Sequence, residues 1–242
     1  MEHVPECNSR YKDVEYWNER YEKEESFEWF GDLSKFQHLL EQHIQKEDSI
    51  LILGCGNSSL SFDLYQKGFS SITNIDYSGV CIETMARRHA DCPGMRWLKM
   101  DARHLAFSEG TFEVVLEKGT LDAMMVEEKD PWSVSAETAG LLQQVLKEIS
   151  RVLKPGGRFI SITFAQPHFR RRLLARREYG WSVQTHSYGV GFQYFLYVLT
   201  KGETLNPEDQ ALEDRLMEDK EPRTVVHLQE PDSEDFLSRI GI

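Results

Sequence analysis

Residues Trp181–Leu199 read Trp-Ser-Val-Gln-Thr-His-Ser-Tyr-Gly-Val-Gly-Phe-Gln-Tyr-Phe-Leu-Tyr-Val-Leu. Two β-rich runs, Trp181–Ser187 and Phe192–Leu199, flank Tyr188-Gly-Val-Gly191. That linker is too short for a crossover helix, so the two strands must pair antiparallel. Upstream the pattern differs: short apolar runs alternate with helical ones. Strands are expected at Ser49–Leu53, Ser71–Ile75, Met95–Met100, Phe112–Leu116 and Arg158–Phe164. Helices are expected at Asn57–Gly68, after Ser78, and over 136–153, where Leu142, Val145, Leu146, Ile149 and Val152 recur at helical spacing. Lys154-Pro-Gly-Gly157 forces a turn before the fifth strand. Alternating strands and helices imply a parallel sheet covered on both faces. The chain is therefore expected to be an α/β, Rossmann-like seven-stranded sheet, with five parallel strands and a C-terminal antiparallel hairpin.

Outside that body lie an aromatic-rich extension (1–48) and an acidic tail (203–242); the central domain is 49–202. The tail holds twelve acids and four Lys/Arg, so −8 of the net charge of −12 belongs to it. A short closing helix is expected from Asp232 through Ile240, with the rest of the tail loose. The four cysteines form no CxxC or Cys/His metal spacing, so neither a disulfide framework nor a metal site is expected. No apolar run approaches the length of a membrane span, and the first residues lack the apolar stretch of a secretory signal. A reducing, cytoplasmic compartment is the simplest expectation, with no membrane partner.

A ligand site is expected at Leu53-Gly54-Cys55-Gly56-Asn57-Ser58, where the first strand turns into the first helix. Small residues there let the backbone approach a ligand, and the helix start offers free N–H groups. Asp76 ends the second strand, twenty residues past Gly56, where a carboxylate can accept both hydroxyls of a ribose. Tyr77 beside it can cover an adenine face. Asp101, followed by Ala102, ends the third strand and is placed to accept from the adenine amino group. A nicotinamide dinucleotide is the rival ligand. Ser59 replaces the third glycine of GxGxxG and the terminal hairpin is wrong for a dehydrogenase, so it is disfavoured.

With Trp29-Phe30, Ile52-Leu-Gly-Cys-Gly-Asn57 and Val152-Leu-Lys-Pro-Gly-Gly157, the run Glu117-Lys118-Gly119-Thr120-Leu121-Asp122 resembles the methyltransferase-like 13 group of class I methyltransferases. The resemblance covers roughly residues 11–200. It implies S-adenosyl-L-methionine as cofactor and a lysine of translation elongation factor 1-alpha as acceptor. It also implies a cofactor site of Trp17, Tyr21, Trp29, Gly54, Gly56, Asp76, Tyr77, Asp101, Ala102 and Lys118, and a segment required for activity from Glu117 to Asp122. Trp17 and Tyr21, four apart, share one helix face and suit an aromatic lid. A carboxylate of Glu117 or Asp122 could dock the incoming ammonium. No direct nucleic-acid contact and a monomeric chain are expected. The arginines Arg170–Arg172, Arg176 and Arg177 read as a solvated face, with a fold-back of the acidic tail onto them as a second expectation. A small-molecule methyltransferase and a non-catalytic cofactor-binding scaffold are the alternatives.

Overall fold

The computed structural model describes residues 5, 7–130 and 132–218. Seven strands form one sheet in the order β3-β2-β1-β4-β5-β7-β6. They are β1 (Ile50–Leu53), β2 (Ile72–Asp76), β3 (Met95–Lys99), β4 (Phe112–Lys118), β5 (Leu153–Thr163), β6 (Gln184–Tyr188) and β7 (Tyr194–Thr200). β1 to β5 pair in parallel, and β7 pairs antiparallel with both β5 and β6. The seven-stranded layout expected from the sequence is thus present. The hairpin is shorter at its start than the β-rich run suggested. Trp181 makes only an isolated bridge to Lys201, and its indole Nε1 donates to the Leu174 carbonyl at 2.9 Å.

The expected turn at Lys154–Gly157 is instead the bulged start of β5. Pairing with β4 shifts register between Phe112 and Val114, and the Gly156 N–H donates to the Lys201 carbonyl at 2.8 Å. Gly156 takes φ +76, so the bulge falls where only glycine is unstrained.

Strand alternation builds two cores. Ile50, Ile52, Ile72, Val114 and Leu116 face one side and pack on α2 (Leu33–Leu40), α3 (Leu60–Gln66) and α4 (Gly79–Arg88). Leu51, Leu53, Ile75 and Val115 face the other and pack on α6 (Ala136–Val152) and α7 (Pro167–Leu174). Each such buried aliphatic contributes roughly 1.5–3 kcal/mol. Capping sets the helix starts: the Ser78 hydroxyl accepts from the Cys81 N–H at 3.1 Å, and the Ser135 hydroxyl from Thr138 at 3.3 Å.

The N-terminal helix α1 (Val14–Lys23) lies against α4. α5 (Thr120–Met124) is a single short turn directly after β4. The tail is not loose throughout: Pro207–Glu218 forms α8, which docks on α7. Its Asp209 and Glu213 are buried, because they meet Arg171 and Arg177 respectively. The closing helix expected at 232–240 lies outside the described residues.

Candidate active site

Strand order reverses between β1 and β4: the chain runs outward from β1 to β3, then returns to the other side of β1. Such a switch point leaves a crevice at the carboxyl ends of the strands. Two adjoining cavities lie there, of about 300 and 620 Å³, and Tyr11, Trp17, Trp29, Gly119 and Ala123 wall both.

All ten residues expected at the cofactor site line the first cavity: Trp17, Tyr21, Trp29, Gly54, Gly56, Asp76, Tyr77, Asp101, Ala102 and Lys118. Its floor is the β1–α3 turn, with Gly54 at φ +64 and Gly56 at φ +51. A Cβ on Gly54 would stand 2.2 Å from the Thr120 hydroxyl, and one on Gly56 would stand 3.0 Å from the Tyr21 hydroxyl. Both positions therefore require glycine. Asp76 is 4 % exposed and accepts from the N–H groups of Gly56 (3.0 Å) and Ser78 (2.9 Å). Burial outweighs these donors and raises its carboxyl to about 6. Asp101 is paired with Arg103 at 2.5 Å, and that guanidinium holds its carboxyl below the ordinary range.

The extension forms the roof. Trp17 and Tyr21 stack at 5.5 Å, Tyr11 meets the edge of Trp29 at 5.5 Å, and the Arg20 guanidinium lies 4.5 Å from the Phe27 ring centre. Hydrogen bonds tie this strap to the body. Asn57 donates to the Glu24 carbonyl, Arg88 to the Glu25 carbonyl, and the Ser78 hydroxyl meets Asn18. Glu28 accepts from the Ser58 hydroxyl at 2.8 Å and the Ser59 N–H at 2.5 Å. Lys118 adds to these: its ammonium donates to Glu28 (2.7 Å) and to the carbonyl of Trp29 (2.8 Å). Its pKa is lowered, chiefly by burial. Lys118 thus pairs its charge with the strap.

The segment from Glu117 to Asp122 divides. Gly119 (φ +83) turns the chain under Trp29 and Phe30, and the Thr120 hydroxyl donates to the Leu53 carbonyl at 2.9 Å. Glu117 and Leu121 are fully buried and line neither cavity. The Glu117 carboxylate accepts from the Thr120 and Leu121 N–H groups and from the Ser161 hydroxyl. Burial first, then the nearby Asp122, raises it to about 7. It orders the start of α5. Asp122 walls the second cavity. Its Oδ1 accepts from Arg170 (2.5 Å) and Thr163 (2.6 Å), while its Oδ2 is buried with no hydrogen-bond partner among the described residues.

The arginine run is not a uniformly solvated face. Arg170 is 1 % exposed and holds Asp122, and Arg171 and Arg177 hold α8. Arg172 lies 5.5 Å from the ring centre of Trp132. Sequence reasoning missed Arg170 and the aromatic wall of the second cavity, Phe30, Phe164, Phe169 and Phe192. Phe30 carries φ +59, the one positive φ outside glycine among the described residues, and its carbonyl accepts from the Tyr188 hydroxyl at 2.8 Å. That hydrogen bond helps hold a strained residue at the cavity mouth.

Glycine turn, strand-end acids and reversed strand order define a class I methyltransferase fold, the class that draws its methyl group from S-adenosylmethionine. The chain belongs to the methyltransferase-domain family, which matches residues 44–218. More particularly, it is 47% identical, over 99% of its own length and 95% of the relative's, to a Bos taurus protein named EEF1A lysine methyltransferase 4. The Mus musculus protein of that name matches to the same extent. A Homo sapiens protein named eEF1A lysine and N-terminal methyltransferase is 36% identical over 77% of this chain, a stretch that is 26% of that protein. Among solved structures, a chain from the complex of the Haloferax volcanii Trm112 methyltransferase activator with a methyltransferase superposes with TM-score 0.58. Identity there is 18% over 79% of this chain and 96% of that one. The 4+2 cyclase SpnF superposes at 0.56 with 13% identity, over 83% and 98%. These likenesses show the fold alone.

Proposed function

We propose that this methyltransferase modifies the side-chain amine of a lysine on translation elongation factor 1-alpha. The observation that carries this reading is the 47% identity, across nearly the whole chain, to proteins named for that reaction. The paired cavities support it. One is built for a nucleoside, the other is larger and aromatic, and they meet at Trp29 and Gly119.

When bound, S-adenosylmethionine supplies an electrophilic methyl carbon on a sulfonium. The glycine cradle of Gly54 and Gly56 fits its amino-acid end, Asp76 its ribose, and Asp101 its adenine. Tyr77, Ala102, Trp17, Tyr21 and Trp29 exclude water, and Lys118 locks the roof down. Residues 1–48 then serve as a lid, 49–202 as the transferase domain and 203–242 as an acidic tail.

A lysine must react as a neutral amine. With a free pKa of roughly 10.4, deprotonation at neutral pH costs about 4–5 kcal/mol. An apolar channel lowers that cost by disfavouring the charged form. The walls of Phe30, Phe164 and Phe169 provide such a channel. The free Oδ2 of Asp122 accepts from the arriving ammonium and orients it. The proton leaves to water, and much of the rate gain comes from alignment. Glu117, Gly119, Thr120 and Leu121 keep Asp122 in place.

We further infer action as a monomer in the cytoplasm, without membrane or direct nucleic-acid contact. Among the described residues no helix is long and apolar enough to cross a membrane. The test is peptide mass spectrometry of purified elongation factor 1-alpha after incubation with the protein and S-adenosylmethionine. A mass gain of one or more methyl groups on a lysine peptide is expected. Label transferred from a cell extract only to small solutes would refute the protein acceptor.

A further inference from the structure

Below the first cavity, two thiols and a carboxylate converge. Cys55 belongs to the turn after β1, Asp76 ends β2, and Cys81 sits in the first turn of α4. They are 6 %, 4 % and 1 % exposed. One ligand atom from each, the two Sγ atoms and a carboxylate oxygen, lie within 4.8 Å of one another.

Their backbones are fixed independently. The Cys55 N–H donates to the Ile75 carbonyl at 3.0 Å, the Cys81 N–H to the Ser78 hydroxyl at 3.1 Å, and Gly56 and Ser78 hold Asp76. On a tetrahedral ion with thiolates at about 2.3 Å, neighbouring ligand atoms stand roughly 3.8 Å apart. Small side-chain rotations therefore suffice to gather all three. Among the described residues no Lys or Arg forms an ion pair with Asp76, so its charge lacks a cationic partner there. Cys55 and Asp76 are part of the wall of the first cavity, which gives an entry path. Three protein ligands leave a fourth position open. Sulfur donors select soft or borderline cations over magnesium or calcium.

We propose that Cys55, Cys81 and Asp76 form a binding site for a thiophilic divalent cation, Zn2+ or Cd2+, whose occupation excludes the cofactor. The ion displaces the two thiol protons to solvent and takes a carboxylate lone pair from Asp76. That carboxylate is then no longer available to the ribose. Binding of metal and of nucleoside becomes mutually exclusive, so the metal inhibits methyl transfer. The metal site stands on the geometry of the three side chains. The competition rests on the reading of the first cavity as the nucleoside site.

The experiment uses the full chain with Cys7→Ser and Cys92→Ser, which leaves only the two thiols of the cluster. Cd2+ is titrated while the thiolate-to-cadmium absorption band is followed. Saturation at one ion per chain is expected, with the band abolished by a further Cys81→Ser. Saturating S-adenosylhomocysteine should move the midpoint to at least tenfold higher Cd2+. No band at micromolar Cd2+ overturns the site, as does a band that survives both Cys81→Ser and Cys55→Ser; circular dichroism checks that each variant is folded. An unmoved midpoint overturns the competition. Failure of S-adenosylhomocysteine to bind the metal-free protein in calorimetry would instead overturn the nucleoside reading, leaving the metal result intact.

Discussion

Asp122→Asn separates the two duties assigned to one carboxylate. The substitution keeps shape and both acceptor contacts on Oδ1, but it removes the charge facing Arg170, a guanidinium only 1 % exposed. Removing one partner of a buried ion pair costs about 3–5 kcal/mol. Retention of the hydrogen bonds places Asn at the lower end, about 3 kcal/mol. For a chain of this size each kcal/mol moves Tm by about 2–4 °C, so a fall of about 6–12 °C is expected in a thermal melt. Loss of the free anionic Oδ2 removes one charge-assisted hydrogen bond to the acceptor ammonium, about 1.5–3 kcal/mol. That is a drop of roughly 10- to 150-fold in kcat/KM for the protein acceptor, read by methyl-label incorporation at low acceptor concentration. The double variant Asp122→Asn/Arg170→Met decides between the duties. Replacing a buried ion pair with neutral groups is often harmless to stability, so Tm should return toward wild type while kcat/KM stays low. Recovery of kcat/KM in the double variant would refute the docking role, as would an Asp122→Asn enzyme within threefold of wild type.

Gly54→Ala should abolish cofactor binding in calorimetry while the circular dichroism spectrum stays native. Its Cβ would collide with Thr120 at 2.2 Å, and alanine at φ +64 carries a further cost of about 1–2 kcal/mol. Lys118→Met should weaken S-adenosylhomocysteine binding at least tenfold by freeing the strap at Glu28 and Trp29; an affinity within twofold of wild type would show that the roof is held without it. Glu117 titrates at about 7 when folded against an ordinary 4.5. Between those values the folded chain holds the extra proton, so this group's contribution is full below pH 4.5 and is lost as pH rises through 7. At ~1.4 kcal/mol per unit the swing is roughly 3 kcal/mol. Urea melts should therefore show Glu117→Gln gaining on wild type by up to that amount between pH 4.5 and pH 8, and a flat difference would contradict the burial argument.

The parallel strands and the glycine turn were legible because each has a local signature: apolar runs of strand length, a helix period, and glycines at a strand end. The order Gly56, Asp76, Asp101 reported one edge of the sheet, and the structure gathers these residues in one cavity. What stayed hidden depends on direction rather than type. In Arg170-Arg171-Arg172 the charges are alike, yet a helix turns about 100° per residue, so one points inward to Asp122, one to α8 and one to Trp132. Glu117 and Asp122 were likewise interchangeable as carboxylates in one loop. Only the fold shows that the first lies under α5 and the second at a cavity wall. The expected fold-back of the acidic tail onto the arginines is present, but the burial of Asp209 and Glu213 was not legible, because it exists only once Arg171 and Arg177 supply their partners.

The crevice at the β1–β4 switch point is proposed to grip adenosine through the Asp76 carboxylate, which lines the first cavity. Titration calorimetry with S-adenosylhomocysteine, on wild type and on Asp76→Asn, tests this most directly. One site per wild-type chain is expected, with affinity reduced at least tenfold in the variant, as the loss of charge-assisted bonds worth about 1.5–3 kcal/mol requires. No heat with wild type, or equal affinity in the two proteins, would contradict it.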